Sequence, residues 1–155
     1  YVYKFNGFKE RLFFTEDIVS LSKEEIFLNL NSSVFSPVKK SFTSKAISKF
    51  KYDDSASVDL LFWSPNRIKF KTSTESVQFL VISEIFYPYG WKILNHLDVE
   101  IYEVNNIIRG ILVPAGDHEF EMVFSPSDLK YGTIITWISL AMIMGLIIIP
   151  FKKKS

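Results

Sequence analysis

The feature that most constrains the fold is a series of seven short, strand-like runs in the second half of the chain. From Ser57 onward these runs read SVDLLFWS, RIKFKTS, VQFLVISEIF, WKIL, VEIYEV, RGILV and HEFEMVF, separated by turn-forming stretches such as PN, TES, YPYG and PAGD. Short runs rich in β-branched and aromatic residues, at roughly ten-residue spacing, are typical of antiparallel sandwiches and barrels. We therefore expect a mainly β protein, an antiparallel β-sandwich of about seven to nine strands.

The pattern within individual runs indicates which strands are covered. Alternation in HEFEMVF sends Phe120 and Met122 to one face and Glu119 and Glu121 to the other, as a half-buried strand requires. By contrast, residues 79–82 read FLVI and are apolar on both faces. This pattern predicts a central strand that is covered on both sides, with the N-terminal region as the expected second cover.

The N-terminal region carries signals for a hairpin and for one short helix. Asn6-Gly7 lies between two strand-like runs, a pairing that favours a tight β-hairpin. Ser22 precedes Glu25 by three residues, the spacing of a capping box. We therefore expect a hairpin around residue 6 and a helix over Lys23–Leu30.

A lysine- and serine-rich connection follows, with no acidic residue between Glu25 and Asp53. Two interpretations stay open for it. It is either a solvated connection that contains one strand, or a cationic surface for phosphorylated headgroups or a polyanionic envelope polymer. The candidate residues for that anion-binding surface are Lys39, Lys40, Lys45, Lys49 and Lys51.

The C-terminal stretch Tyr131–Phe151 contains no charged residue and lies between Lys130 and Lys152. At about 1.5 Å per residue a helix of this length reaches roughly 30 Å, the thickness of a hydrocarbon core. The sequence therefore predicts a transmembrane helix, with the membrane bilayer as a partner. The lysine run that follows favours a cytoplasmic C-terminus, which predicts a cell-membrane protein with residues 1–130 extracytoplasmic.

These features divide the chain into four parts. The expected parts are an N-terminal hairpin, helix and Lys/Ser-rich connection packed on the sandwich (1–56), the β-sandwich (57–128), the transmembrane helix (129–151) and a cytoplasmic tail (152–155).

Composition and motifs exclude several functional classes. The chain has no cysteine, which rules out disulfides and thiolate metal sites. Lys152–Lys154 account for three of the 18 basic residues, so the remainder, with 17 acidic residues, is slightly acidic, and nucleic acid is not an expected partner. His96 and His118 lack metal-site spacing, and the common catalytic and phosphate-binding motifs are missing. We expect no metal, no cofactor and no catalytic residue in this segment.

One aromatic corner is the main candidate for ligand contact. The segment EIFYPYGWKIL places Tyr87, Tyr89 and Trp91 around Pro88 and Gly90 at the end of the predicted central strand. Proline stops a strand ladder and glycine allows the chain to reverse, so the architecture alone accounts for both. The three rings either close the open end of the core or stack on the face of a sugar, and the architecture favours closure.

Several motifs together resemble one known family. They are the Tyr-Pro-Gly-Trp corner in FLVISEIFYPYGWKI, an Asn-then-Arg-Gly strand, a Pro-Ala-Gly-x-His hairpin, and a Ser-Pro pair shortly before the apolar helix. Over roughly Gln78 to Ile149, and more loosely upstream, the chain resembles the C-terminal end of the YfhO family of bacterial polytopic membrane proteins.

The resemblance implies a specific biological setting. The chain would be the last outer domain and final helix of a larger GT-C glycosyltransferase-like protein, linked to glycosylation of cell-envelope polymers with lipid-linked sugars. Catalytic residues of such proteins lie far upstream, so the domain would be a noncatalytic lid, scaffold or glycan-binding surface. Its expected partners are upstream transmembrane helices of the same parent protein or neighbouring subunits, and envelope glycan or lipid-linked sugar. The alternative is a single-pass membrane-anchored binding or assembly subunit of an envelope complex.

Overall fold

A computed structural model describes residues 10–96 and 98–151, and these contain ten strands and two helices. The elements are β1 (Leu12–Phe14), β2 (Ile18–Ser20), α1 (Lys23–Leu30), β3 (Ser41–Thr43), β4 (Ser57–Ser64), β5 (Arg67–Thr74), β6 (Gln78–Ile85), β7 (Trp91–Ile93), β8 (Ile101–Val104), β9 (Ile108–Val113), β10 (Gly116–Phe124) and α2 (Ser127–Phe151). All seven strand-like runs of the second half form strands, which confirms the mainly β prediction.

Eight of these strands form two antiparallel sheets of four strands each. The first sheet has the order β1-β6-β9-β8 and the second has the order β4-β5-β10-β7. In the second sheet Phe120 on β10 lies opposite Phe70 on β5, and in the first sheet Leu12 on β1 lies opposite Ile82 on β6. A small parallel pair, β2 and β3, completes the strands of the described residues. The predicted central position of β6 is confirmed, because it pairs with a strand on each side.

The main core lies between the two sheets. Phe70 and Phe120 stack there with ring centroids 5.3 Å apart, and neither side chain is exposed. Alternation along β10 places Met122 in the same core, while Glu121 on the opposite face binds Arg67 and Lys69. The pattern predicted for this strand is therefore confirmed. The buried residues of this core are Leu12, Phe14, Ile68, Phe70, Leu80, Ile82, Ile93, Ile111, Val113, Phe120 and Met122.

A second, smaller core covers the other face of the first sheet. Phe79, Val81 and Val104 are fully buried there. They pack against side chains that include Ile18 of β2 and Ile47 and Phe50 of the Lys/Ser-rich connection. The predicted Asn6-Gly7 hairpin lies outside the described residues, so the part of the second cover that the structure describes comes from β2, β3 and this connection.

The short N-terminal helix begins as the capping signal predicts. The Ser22 hydroxyl accepts a hydrogen bond from the backbone N–H of Glu25, and the Glu25 carboxylate accepts one from the backbone N–H of Ser22. The backbone N–H and the hydroxyl of Ser22 both donate to the Glu25 carboxylate and lower its pKa, since they stabilise the ionised form. The predicted bounds Lys23–Leu30 are confirmed.

The C-terminal helix α2 requires a correction. It forms over Ser127–Phe151, close to the predicted 129–151. Within the described part of the chain, however, no helix has the length and apolar character needed to cross a membrane, so the predicted transmembrane helix is wrong.

Candidate functional site

The aromatic corner joins β6 of the first sheet to β7 of the second. The chain turns through residues 87–90, and the backbone N–H of Ser125 donates to the carbonyl of Gly90 at 2.7 Å. A Cβ on Gly90 would lie 2.6 Å from Cε2 of Phe124, a distance that side chains do not tolerate. Glycine is therefore required here by the close approach of the Phe124 ring.

The rings at this corner form a continuous series. Tyr89 meets Tyr87 edge to face at 6.2 Å, Tyr87 meets Phe124 at 5.8 Å, and Phe124 meets Trp91 at 5.5 Å between centroids. Such tilted arrangements are the favoured geometry for aromatic pairs. The series runs from the exposed Tyr89 and Tyr87 to the half-buried Phe124 and Trp91.

The three rings proposed for sugar contact differ in their exposure. Tyr87 is 51% exposed and Tyr89 is 72% exposed. Trp91 is half-buried, packs against the main core and lies over the guanidinium of Arg109. Two of the rings therefore present free surface and the third is largely committed to packing, while glycan contact stays a prediction for all three.

Beneath Trp91 lies a buried cation that sequence reasoning missed. Arg109 on β9 is only 2% exposed, and its guanidinium carbon lies 3.8 Å from the centroid of the Trp91 ring. Among the described residues, neither its Nε nor its Nη1 has a hydrogen-bond partner. Burial lowers the pKa of Arg109 to about 10, and the nearby Glu84 carboxylate opposes that shift. The side chain is still charged at neutral pH.

A second arginine at the same end of the sandwich has a different environment. Arg11 lies over the Trp63 ring at 4.2 Å from its centroid and forms a salt bridge with Glu84. The indole Nε1 of Trp63 also donates to Glu84, at 3.0 Å. The carboxylate nearest to Arg109 is therefore already bound by two other side chains.

A cleft opens beside Trp91, between the edge strands β7 and β8. Its volume is about 290 Å³. We call it the β7–β8 cleft, and its described lining consists of Trp91, Lys92, Ile93, His96, Val99 and Ile101. That lining is mostly apolar, with one lysine, one histidine and no acidic residue. It suits the body of a small molecule and favours a negative charge over a positive one.

A larger depression of about 550 Å³ lies elsewhere, between β2 and residues 47–50. Its lining includes the polar residues Asp17, Ser20 and Lys49 and the apolar residues Ile18, Val19, Ile47 and Phe50. Its charged side chains, Asp17 and Lys49, are exposed. We place the candidate site at Arg109 rather than in this depression, because buried donors without a hydrogen-bond partner call for an explanation.

The five candidate lysines do not line one common depression. Lys39 and Lys40 line a depression that contains Phe35 and Phe42, whereas Lys49 lines the depression beside β2. Lys45 hydrogen-bonds Glu100, which raises the pKa of the lysine and lowers that of the glutamate. Lys40 lies 3.9 Å from Asp17. Lys51 is exposed. Their role as an anion-binding surface stays a prediction.

The two histidines lie together in the second sheet region. Their rings meet edge to face at 5.4 Å, and Nε2 of His118 lies 3.0 Å from the carbonyl oxygen of Ala115. His96 also packs on Phe120, with centroids 4.5 Å apart. Within residues 10–96 and 98–151, no group of three or more potential metal ligands is found.

No model of a known protein family matches the chain, and neither the curated proteins nor the solved structures contain a significant match. The resemblance to the YfhO family therefore stays a prediction from the motifs.

Proposed function

We propose that this chain is a noncatalytic assembly module. In this proposal the β-sandwich is a preformed head, and α2 packs among apolar helices of a larger glycosyltransferase-like membrane protein involved in glycosylating cell-envelope polymers. The head would serve as a lid, a scaffold or a glycan-binding surface, on the extracytoplasmic side that the family resemblance implies.

The exposed apolar surface of α2 is the single observation that carries this proposal. From Tyr131 to Ile147, every residue of α2 except Gly145 is exposed. The large apolar side chains among them face all directions, and they include Ile134, Ile135, Trp137, Ile138, Leu140, Met142, Ile143, Met144 and Leu146. A helix that is apolar all round belongs in an apolar environment. The head does not provide that environment, so the partners of α2 lie outside the described residues.

The assembly role also agrees with the head as a self-sufficient unit. Its two cores are closed by residues of the described chain, and the Trp91 ring that covers the buried Arg109 also lines a cleft of monosaccharide size. A scaffold of this kind presents a surface without performing chemistry.

Site-specific cross-linking tests the proposal, because the chain has no cysteine of its own. Ile138 and Leu140 are two residues apart and so lie about 200° apart around a helix, on nearly opposite faces. We expect Ile138→Cys and Leu140→Cys, each introduced into the full-length protein in its native membranes, to cross-link to apolar helical segments. The exposed Ser48→Cys in the head is the control and should not form these cross-links.

The mass of the cross-linked product distinguishes two forms of the assembly. A product of unchanged polypeptide mass means that the partner helices belong to the same chain, as the family resemblance implies. A product of increased mass means a separate assembly subunit. Cross-links that join α2 only to residues of its own sandwich would refute the assembly role.

A further inference from the structure

Arg109 combines burial, charge and missing hydrogen bonds in a way that packing does not explain. A buried guanidinium normally forms charge-assisted hydrogen bonds to a carboxylate or a carbonyl. Nε and Nη1 of Arg109 have none from the described residues, and the side chain is 2% exposed. An unsatisfied buried donor costs about 1–3 kcal/mol, and more when it is charged. The fold therefore carries a cation that an apolar side chain would replace at lower cost.

The comparison with Arg11 shows what Arg109 lacks. Both guanidinium groups stack on a tryptophan, Arg11 on Trp63 and Arg109 on Trp91. Arg11 additionally has a carboxylate, Glu84, in a salt bridge. Glu84 also interacts electrostatically with Arg109, but no described carboxylate hydrogen-bonds Nε or Nη1 of Arg109, and an external anion would supply those hydrogen bonds.

The β7–β8 cleft provides the space for such a ligand. Trp91 forms one wall of the cleft and also covers the Arg109 guanidinium. Arg109 is not among the residues that line the cleft, so access to its guanidinium requires the half-buried indole of Trp91, which stacks on it, to move aside. Lys92 and His96 lie in the same lining, so the electrostatic preference of the cleft agrees with that of Arg109.

We propose that Arg109 and the β7–β8 cleft form a binding site for a small molecule that carries a carboxylate or a phosphate on a body of about one sugar ring. The anionic group pairs with the Arg109 guanidinium, and the ring lies against the apolar wall formed by Trp91, Val99 and Ile101. The cleft volume of about 290 Å³ fits a body of this size. This site does not depend on the assembly role of α2.

Binding of matched sugars tests the site. The probes are glucuronate and glucose 1-phosphate, with glucose as the neutral control and inorganic phosphate as the bare ion, each measured by titration calorimetry and tryptophan fluorescence. We expect at least one anionic sugar to bind at least tenfold more tightly than glucose. The two anionic probes also show whether the site prefers a carboxylate or a phosphate.

Three substitutions locate the binding. Arg109→Met should weaken the anionic sugar at least tenfold while leaving the protein at least as stable to urea, since methionine removes a buried unpaired charge. Lys92→Glu, at an exposed position in the lining, should weaken binding severalfold without affecting folding. Lys40→Met is the control, because Lys40 is exposed and lines the separate depression that contains Phe35 and Phe42, so this change should leave affinity unchanged.

Three results would overturn the proposal. The first is that neither anionic sugar binds more tightly than glucose, which would leave Arg109 as a buried cation hydrated only by water. The second is that Arg109→Met and Lys92→Glu both bind like the wild type, which would place the ligand elsewhere. The third is equal affinity for inorganic phosphate and glucose 1-phosphate, which would remove the role of the cleft.

Discussion

The sandwich and α2 are both rich in apolar residues, but they differ in where those residues find contacts. In the sandwich, side chains such as Phe79 and Leu80 are completely buried by other parts of the same chain. In α2, side chains of the same kind, such as Leu140 and Ile138, remain about half exposed. The same composition therefore stabilises the fold in one region and is available for association in the other. Matched substitutions in the two regions test this difference.

The largest effect is expected at Phe79 in the smaller core. Its ring is fully buried and meets Tyr102 at 5.8 Å between centroids. Phe79→Ala should lower the free energy of unfolding by about 3–5 kcal/mol, because it removes buried apolar surface and leaves a cavity. Urea denaturation measures the loss. Phe27→Ala is the control, since Phe27 is 62% exposed on α1. A similar loss from both substitutions would contradict the assigned burial.

The second pair compares a glycine in each region. A Cβ on Gly110 would lie 2.5 Å from Cε1 of Phe79 and 2.9 Å from Cγ2 of Val104, both on buried side chains. Gly110→Ala should therefore destabilise the head by about 1–3 kcal/mol through overpacking. Nothing lies within 4 Å of a Cβ built on Gly132 in α2, so Gly132→Ala should not lower the stability of the head. If both changes proved neutral, the close packing at β9 would be disproved.

Much of this architecture could be predicted from the sequence because the signals are local. Strand periodicity located β4 to β10, and the capping box located α1 at its observed bounds. The β8–β9 turn lies at an Asn-Asn dipeptide, where Asn105 and Asn106 have φ of 52° and 62°. Side chains of this type tolerate the left-handed region better than most.

The contacts between side chains on different strands could not be predicted from the sequence, because they depend on how the strands are aligned with one another. Arg109 is the first residue of the RGILV run, where a charged residue at the exposed end of a strand would be expected. It lies instead on the same face of β9 as Ile111 and Val113, which belong to the main core, and it is buried. Its stacking partner Trp91 lies on the other sheet, and Arg11 and Glu84 are 73 residues apart. The transmembrane prediction for α2 relied only on the length and apolar composition of one run of the sequence, and no helix of the described residues meets the requirements of a membrane span.

An effect similar to that at Gly110 is expected at the β8–β9 turn. There the Asn105 side chain hydrogen-bonds the backbone of β3. The Oδ1 of Asn105 accepts a hydrogen bond from the backbone N–H of Phe42 at 2.9 Å, in a buried position. Asn105→Gly keeps the positive φ but loses this bond, and should cost about 1–3 kcal/mol because the Phe42 N–H is left unsatisfied. Asn105→Ala adds backbone strain and should cost more. The measurement is again urea denaturation, and equal stability of Asn105→Gly and wild type would show that the bond contributes nothing.

A cap at the edge of the head should have a smaller effect still. Ser22→Ala removes the hydroxyl that accepts from the backbone N–H of Glu25. The expected loss is about 1 kcal/mol. Ser22→Asp restores an acceptor and should recover most of it, whereas a loss that persists in Ser22→Asp would point to a cause other than capping.

The smallest effect on stability, and the clearest separation of the two regions, is expected in α2. Leu140 is 49% exposed whereas Leu80 is completely buried. Leu140→Gln should change the free energy of unfolding of the head by less than about 0.5 kcal/mol, as exposed substitutions usually do. Leu80→Ala should cost about 2–5 kcal/mol. Under the proposed assembly role, the order should reverse in a pull-down of the protein from its native source, with Leu140→Gln reducing recovery of the proposed partner and Leu80→Ala sparing it under conditions where the head stays folded. If Leu140→Gln instead destabilised the head while leaving association intact, α2 would be part of the fold and its exposed surface would have no separate role.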